Sequence, residues 1–208
     1  MKKIYFFIFL ACVNTLAFAE WEKPVVKFTN SYRYLVREKH SIYIQRGELD
    51  FSYNRDTDKF SKIKLFPFIE LRNNVQKEKM EHKEIGLEIG VDIFDWLYLG
   101  ESFQYTRYNY DWTNYIWHSH IKYAHEAETR TMFSLPIYAI DEERKIRIYA
   151  LDEYTYSFKL GEGTRNEGVL GIIIPVTKYL ETGFNWRHID RIHDFDSDAI
   201  EAALTIVF

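Results

Sequence analysis

The fold class predicted for this chain is all-β: an antiparallel up-and-down transmembrane β-barrel of ten or twelve strands, with twelve the preferred count. Three observations predict it. Apolar and polar residues alternate along almost the whole chain after residue 19, a period of two that only strands produce. No stretch after residue 19 is long and apolar enough for a membrane-spanning helix, which needs about 20 residues. Aromatic residues make up 18% of the chain, with 16 Tyr, 16 Phe and 5 Trp, and they gather at the ends of the alternating runs, where amphipathic rings suit a membrane interface.

The elements follow in order. Lys2 and Lys3 begin a basic start, Ile4 to Val13 is an apolar run, and Ala17-Phe18-Ala19 is a small-x-small cleavage site before Glu20. This reads as a signal peptide over 1–19, removed on export. Cys12 after Phe9-Leu10-Ala11 offers a lipoprotein signal instead, for which Phe and Leu are poor residues. Cleavage after Ala19 leaves 189 residues as a single domain, 20–208, and removes the only cysteine. With Lys2 and Lys3 gone, the formal charge goes from −4 to −6, which argues against nucleic acid held through phosphate contacts.

Val26, Phe28, Tyr32, Tyr34 and Val36 then oppose Lys27, Thr29, Ser31 and Arg33. A strand at about 42–53 changes phase at Gly47, which suggests a bulge. Ile63, Leu65, Ile69 and Leu71 oppose Lys62, Lys64, Glu70 and Arg72. The cleanest run is Glu84 to Ile93, where Ile85, Leu87, Ile89, Val91 and Ile93 share one face, and Glu84, Gly86, Glu88, Gly90 and Asp92 the other. A strand follows at 97–110. Tyr115, Trp117, Ile121 and Tyr123 oppose His118, His120, Lys122 and Glu126, and Phe133, Leu135 and Ile137 mark another run. Ile146, Ile148, Tyr154, Tyr156 and Phe158 oppose Arg147, Glu153 and Lys159. Leu170 to Val176 precedes a tight turn at Thr177-Lys178, after which Leu180, Phe184 and Trp186 oppose Glu181, Asn185 and Arg187. The chain ends on Ile200, Ala202, Leu204, Ile206 and Phe208, opposite Glu201.

These runs number eleven. An even count keeps both termini on one side of a membrane, so one run is miscounted, and 108–145 is where the division is least clear. Counted from the C-terminus, the short turns at Thr177-Lys178 and Phe94-Asp95-Trp96 fall on opposite sides.

Alternation alone leaves open whether the apolar face meets lipid or a soluble core. Lipid is favoured by the unbroken pattern up to Phe208, by Trp96, Tyr110, Trp112, Tyr115 and Trp117 at strand ends, and by glycines set between the charges of 84–92, which suit a crowded lumen.

The C-terminal pattern ending in Ile206 and Phe208 resembles the assembly signal of Gram-negative outer-membrane β-barrels, which implies insertion by the barrel-assembly machinery. The stretches 95-DWLYLGESFQYTRYNYDW-112 and 152-DEYTYSFKLGEGTRNEGVLGIIIPVTKYLETGFNWRHI-189 resemble an uncharacterised family of bacterial outer-membrane barrels. Residues 24–80 match that family less well, and 113–140 is short of its Arg-rich strand pair. The resemblance implies an outer-membrane location with lipid as partner, and no activity.

The residues expected in the lumen include Glu84, Glu88, Asp92, His118, His120, Lys122, Arg147, Glu153, Glu181 and Arg187. Interspersed signs suggest a paired network that satisfies confined charges; the other reading is a selective pathway for a solute. Ser119 between His118 and His120 invites a lipid acyl hydrolase, but neighbours on a strand point to opposite faces, so neither histidine reaches that hydroxyl. His118 and His120 with Glu126 give too few ligands to specify a metal. Gly161-Glu162-Gly163 opens no helix and is no phosphate loop. No cofactor, metal or catalytic residue is expected, and an enzyme is not. The function expected is a small integral barrel with a charged, mostly filled lumen, structural or narrowly solute-conducting; the alternatives are the embedded hydrolase and a soluble periplasmic ligand-binding barrel.

Overall fold

In the computed structural model, which describes residues 22–53, 62–108, 123–192 and 195–208, ten strands close on themselves. They are β1 (Val25–Leu35), β2 (His40–Tyr53), β3 (Ile63–Asn74), β4 (Lys79–Phe94), β5 (Leu97–Tyr108), β6 (Tyr123–Ala139), β7 (Lys145–Ser157), β8 (Glu162–Thr177), β9 (Leu180–Arg191) and β10 (Ser197–Val207). Each strand pairs antiparallel with its sequence neighbours, and β1 pairs with β10 to complete the barrel. Closure leaves no sheet edge, so every strand finds its ladder partners internally.

Ten is the lower of the two counts expected, rather than the preferred twelve. The runs at 115–126 and 133–137 read as two strands; residues 115–122 lie outside the described residues, and 123–126 join 133–137 in one strand of 17 residues, Tyr123–Ala139. Its middle carries polar residues on both faces, with Glu126, Glu128 and Arg130 on one and Thr129 and Thr131 on the other, so the period of two is invisible there. With ten strands, the Asp95-Trp96 and Lys178-Tyr179 turns fall at the same end of the barrel as both termini, and the conflict between them disappears. The expected bulge at Gly47 is absent: the β1 and β2 ladder runs through it without a shift. Register shifts occur instead at Arg72/Asn73, Asp92/Phe94, Pro136/Tyr138, Thr155/Tyr156 and Pro175/Thr177. Two of these follow prolines, which lack the N–H a ladder requires.

Three turns at the end away from the termini close on a residue in the left-handed region, Lys39 (φ 53°), Glu78 (φ 50°) and Gly161 (φ 76°). Only the last is a glycine; the other two carry a strain of about 1 kcal/mol each.

The two faces separate sharply. Ile85 is 59% exposed on the outside, with Leu87, Ile89, Phe103, Leu170, Ile200 and Leu204 also exposed, whereas Glu84 and Glu88 point inward and are 6% and 3% exposed. Phe208 lies at the seam: its N–H donates to Val26 O (2.9 Å) and its carbonyl accepts from Val26 N–H (3.2 Å). Ile206 sits opposite Phe28 across the same seam. The terminal residues thus close the cylinder.

Candidate functional site

Inward positions recur at every second residue, so each strand delivers a short column of side chains to the bore. Glycines on that face make room for aromatic rings. A Cβ on Gly90 would sit 2.1 Å from Tyr98 Oη, one on Gly100 2.7 Å from the same oxygen, and one on Gly86 2.5 Å from Phe68 Cζ. Tyr98 and Phe68 therefore lie flat across the interior, over strand backbone.

At mid-height six side chains form a closed circuit. Arg130 of β6 meets Glu153 of β7 (2.6 Å), Glu153 meets Arg187 of β9 (2.9 Å), and Arg187 binds Glu167 of β8. Arg165 of β8 lies 2.9 Å from Glu167 as an ion pair not aligned for a hydrogen bond, and 3.5 Å from Glu128 of β6, which returns to Arg130 (3.2 Å). From this circuit an arm crosses the bore. Arg130 donates to Glu88 (2.8 Å), which also accepts the Tyr98 hydroxyl (2.6 Å). Arg46 stands between Glu88 (3.8 Å) and Glu70 (3.5 Å), stacked on Phe68 (4.0 Å), and Arg72 holds Glu70 (2.5 Å). Arg33 and Glu201 pair across the β1–β10 seam (2.5 Å). Burying carboxylates and guanidiniums is costly unless each meets an opposite charge, and the belt gives every one of these side chains such a partner.

Towards the termini the bore carries lysine–aspartate pairs. Lys27 meets Asp50 (3.0 Å) and Lys64 meets Asp92 (2.8 Å), beside Phe66, Met132 and Leu151. These side chains and the belt line a cavity of about 370 Å³. The Lys27 side chain is 29% exposed, against 3% for Glu88, so exposure falls from the terminal end inward. At the far end Leu35, Ile42, Ile44, Ile189 and Ala199 form a buried apolar cluster inside the wall made by β9, β10, β1 and β2. Opposite it, Glu126 is held by the hydroxyls of Thr106 (3.0 Å) and Tyr108 (3.1 Å).

Among the residues anticipated in the lumen, Glu84, Glu88, Asp92, Glu153 and Arg187 point into it. Glu181 lies on the same inward phase near the terminal end, opposite Thr205. Arg147 sits at that rim, donating to Ser134 Oγ (2.9 Å) and to the Asp95 carbonyl (3.4 Å). His118, His120 and Lys122 lie outside the described residues, as do Ser119, Tyr110, Trp112, Tyr115 and Trp117. Trp96 is on the outer rim, stacked between Phe94 (5.1 Å) and Phe133 (6.0 Å). Lys159, placed on the inner face by alternation, is instead in the turn after β7, its Nζ 5.8 Å from the Tyr123 ring.

Sequence reasoning missed Arg46, Glu128, Arg130, Arg165 and Glu167. Arg165 and Glu167 stand in β8 close to the Gly161-Glu162-Gly163 turn, and in β2 the inward face starts with Ile42 and Ile44, which blurs the alternation of 42–53. For a metal, Glu70, His82 and Glu84 bring ligand atoms within 4.8 Å of one another. Arg72 and Arg46 already engage Glu70, which leaves two free donors, His82 Nε2 and Glu84, 3.9 Å apart.

No family model matches the chain, and no curated protein matches it. Among solved structures it is similar to the NanC porin (TM-score 0.49, 7% identity, 86% of this chain and 98% of that one). It is also similar to the KdgM porin (0.43, 8%, 88% and 99%) and to the beta domain of the Bordetella autotransporter BrkA (0.42, 10%, 88% and 98%).

Proposed function

We propose that this protein is an integral barrel of a Gram-negative outer membrane, exported by a cleaved signal peptide, whose lumen is closed to bulk solutes by its charge belt. A membrane address follows from the faces: apolar side chains line the outside and ionic ones the inside, the inverse of a soluble barrel. Every strand has 11 to 17 residues, enough for a tilted strand to cross hydrocarbon, which takes about 9–11. Insertion by the barrel-assembly machinery fits the seam role of Phe208.

The observation that carries the closed lumen is the circuit of Arg130, Glu153, Arg187, Glu167, Arg165 and Glu128 with its arm to Arg72. A barrel of about 8 strands is just filled by side chains, whereas wide aqueous channels take about 16–18. Ten strands leave a narrow bore, and the belt occupies it. Selective rings carry one sign of charge; here arginines and glutamates alternate, so the belt favours neither cations nor anions. What remains is a cavity of about 370 Å³ lined by the belt and by the side chains on its terminal side, which conducts only if the belt parts.

Planar-bilayer recording tests this. Wild-type protein is expected to give no steady open-channel conductance, and Arg130→Ala, which removes the one cation shared by Glu88, Glu128 and Glu153 among the described residues, is expected to give brief small steps. A large steady conductance from the wild type refutes the closed lumen.

A further inference from the structure

On the outer wall, near the rim away from the termini, Lys83 of β4 stands directly opposite Arg107 of β5. Both are exposed, and neither makes an ion pair among the described residues. Like charges facing each other across a strand pair destabilise it, so a compensating anion is called for. The next strand presents Tyr123 opposite Arg107. Tyr105 stacks on Tyr123 (6.3 Å) and lies against His125 (5.2 Å). Lys159, in the β7–β8 turn, reaches the other side of this platform with its Nζ 5.8 Å from the Tyr123 ring. Three cations therefore border an aromatic surface. Just towards mid-barrel the same wall offers Ile85 and Phe103, 59% and 53% exposed.

We propose that Lys83, Arg107 and Lys159, around Tyr105 and Tyr123, bind the phosphate-bearing headgroup of a membrane glycolipid. This rests on the reading of the chain as a membrane-spanning barrel. Guanidinium and ammonium groups are the side chains that bind phosphate, arginine through a planar fork and lysine as a point charge. Tyrosine rings sit well at headgroup level, with one end apolar and the other wet. Among the described residues the site lies on the barrel's convex outer wall, where a free anion's attraction to exposed charges is screened within about 8 Å at physiological salt. A lipid escapes this weakness because its acyl chains are already held in hydrocarbon against Ile85 and Phe103, which keeps its phosphate at high local concentration beside the three cations.

The test is lipid retention by the folded full-length barrel in detergent micelles, read by native mass spectrometry. The probes are bisphosphorylated lipid A, the same lipid with its phosphates removed, and inorganic phosphate as competitor. Wild type is expected to retain the phosphorylated lipid at least tenfold better than the dephosphorylated one. The Lys83→Gln/Arg107→Gln/Lys159→Gln variant is expected to lose that preference while keeping the gel shift on heating that marks a closed barrel. Lys159→Gln alone, in a turn that tolerates it, is expected to lose part of the preference and serves if the triple variant does not fold. Equal retention of the two lipids by wild type, an unchanged preference in the variants, or displacement by millimolar inorganic phosphate overturns the proposal. Failure of the wild type to show the heat-dependent gel shift overturns the membrane-barrel reading itself, and with it this site.

Discussion

Replacing Arg187 by alanine removes the one cation that bridges Glu153 and Glu167. The Arg187 side chain is 11% exposed, and its two partners are 8% and 3% exposed, so both carboxylates are largely shielded from bulk water. Breaking a buried ion pair by removing one partner costs about 3–5 kcal/mol. Relief is partial, because Glu153 keeps Arg130 at 2.6 Å and Glu167 keeps Arg165 at 2.9 Å. The expected loss is therefore at the lower end, about 3 kcal/mol. Equilibrium urea unfolding of vesicle-inserted protein, followed by tryptophan fluorescence, measures it. As a control, Lys62→Ala breaks an exposed pair with Glu22 (2.9 Å) and is expected to cost no more than about 1 kcal/mol. The double change Arg187→Met/Glu167→Gln, which removes both charges and keeps the volume, is expected to recover most of the loss. A cost for Arg187→Ala as small as the Lys62 control would refute the idea that the belt is a desolvated, mutually dependent network.

Three further outcomes are expected. Gly90→Ala drives Tyr98 away, since the new Cβ would lie 2.1 Å from its hydroxyl oxygen; losing that oxygen's bond to Glu88 lowers unfolding stability by about 1–3 kcal/mol, and an unchanged urea midpoint contradicts it. Ile89→Arg places a charge near the middle of the exposed face of β4 and is expected to cost about 2–4 kcal/mol in a bilayer, where a water-facing site would tolerate it within about 0.5 kcal/mol. In the β6–β7 turn the Arg144 backbone N–H (2.7 Å), followed by its guanidinium (2.7 Å), holds the Asp141 carboxyl below the ordinary aspartate range. A depressed folded-state value means the turn's stabilisation is fully present above the unfolded aspartate value and is lost as pH falls through the folded one; an NMR titration midpoint at or above the ordinary range would contradict this.

Much of this architecture is legible in the residues. Glu84 to Ile93 separates its faces without exception because both faces have a clear chemical identity there; in the run to Phe208 the outward face stays apolar while the inward one mixes Glu201 and Thr205 with Ala203 and Val207. The reading fails where one face loses that identity. Between Glu126 and Met132 the outward positions are Ala127, Thr129 and Thr131, and a single strand looks like two. In β2 the inward positions begin with Ile42 and Ile44 and continue with Arg46, Glu48 and Asp50, so hydropathy changes along one face while the ladder does not. Glycine adds to the confusion: Gly47 occupies an ordinary outward position, whereas Gly86 and Gly90 owe their place to the rings of Phe68 and Tyr98, which nothing local reveals. The belt was the least readable feature. Its partners lie far apart in sequence, 42 residues for Glu88 and Arg130 and 168 for Arg33 and Glu201, and only closure of the sheet and strand register bring them together. Arg165 and Glu167 also sit in a stretch whose Gly, Thr and Asn residues imitate a loop.

The central claim is that apolar side chains on these strands face hydrocarbon while ionic ones face the bore. Cys12, the chain's only cysteine, precedes the expected cleavage site, so single nitroxide labels on introduced cysteines at 84, 85, 87, 88 and 89 test it in reconstituted bilayers. The account predicts that labels at 85, 87 and 89 collide freely with oxygen and poorly with a water-soluble nickel chelate, and that labels at 84 and 88 are shielded from oxygen. Labels at 85, 87 and 89 that collide mainly with the nickel chelate, or an oxygen profile that does not alternate along β4, would contradict it.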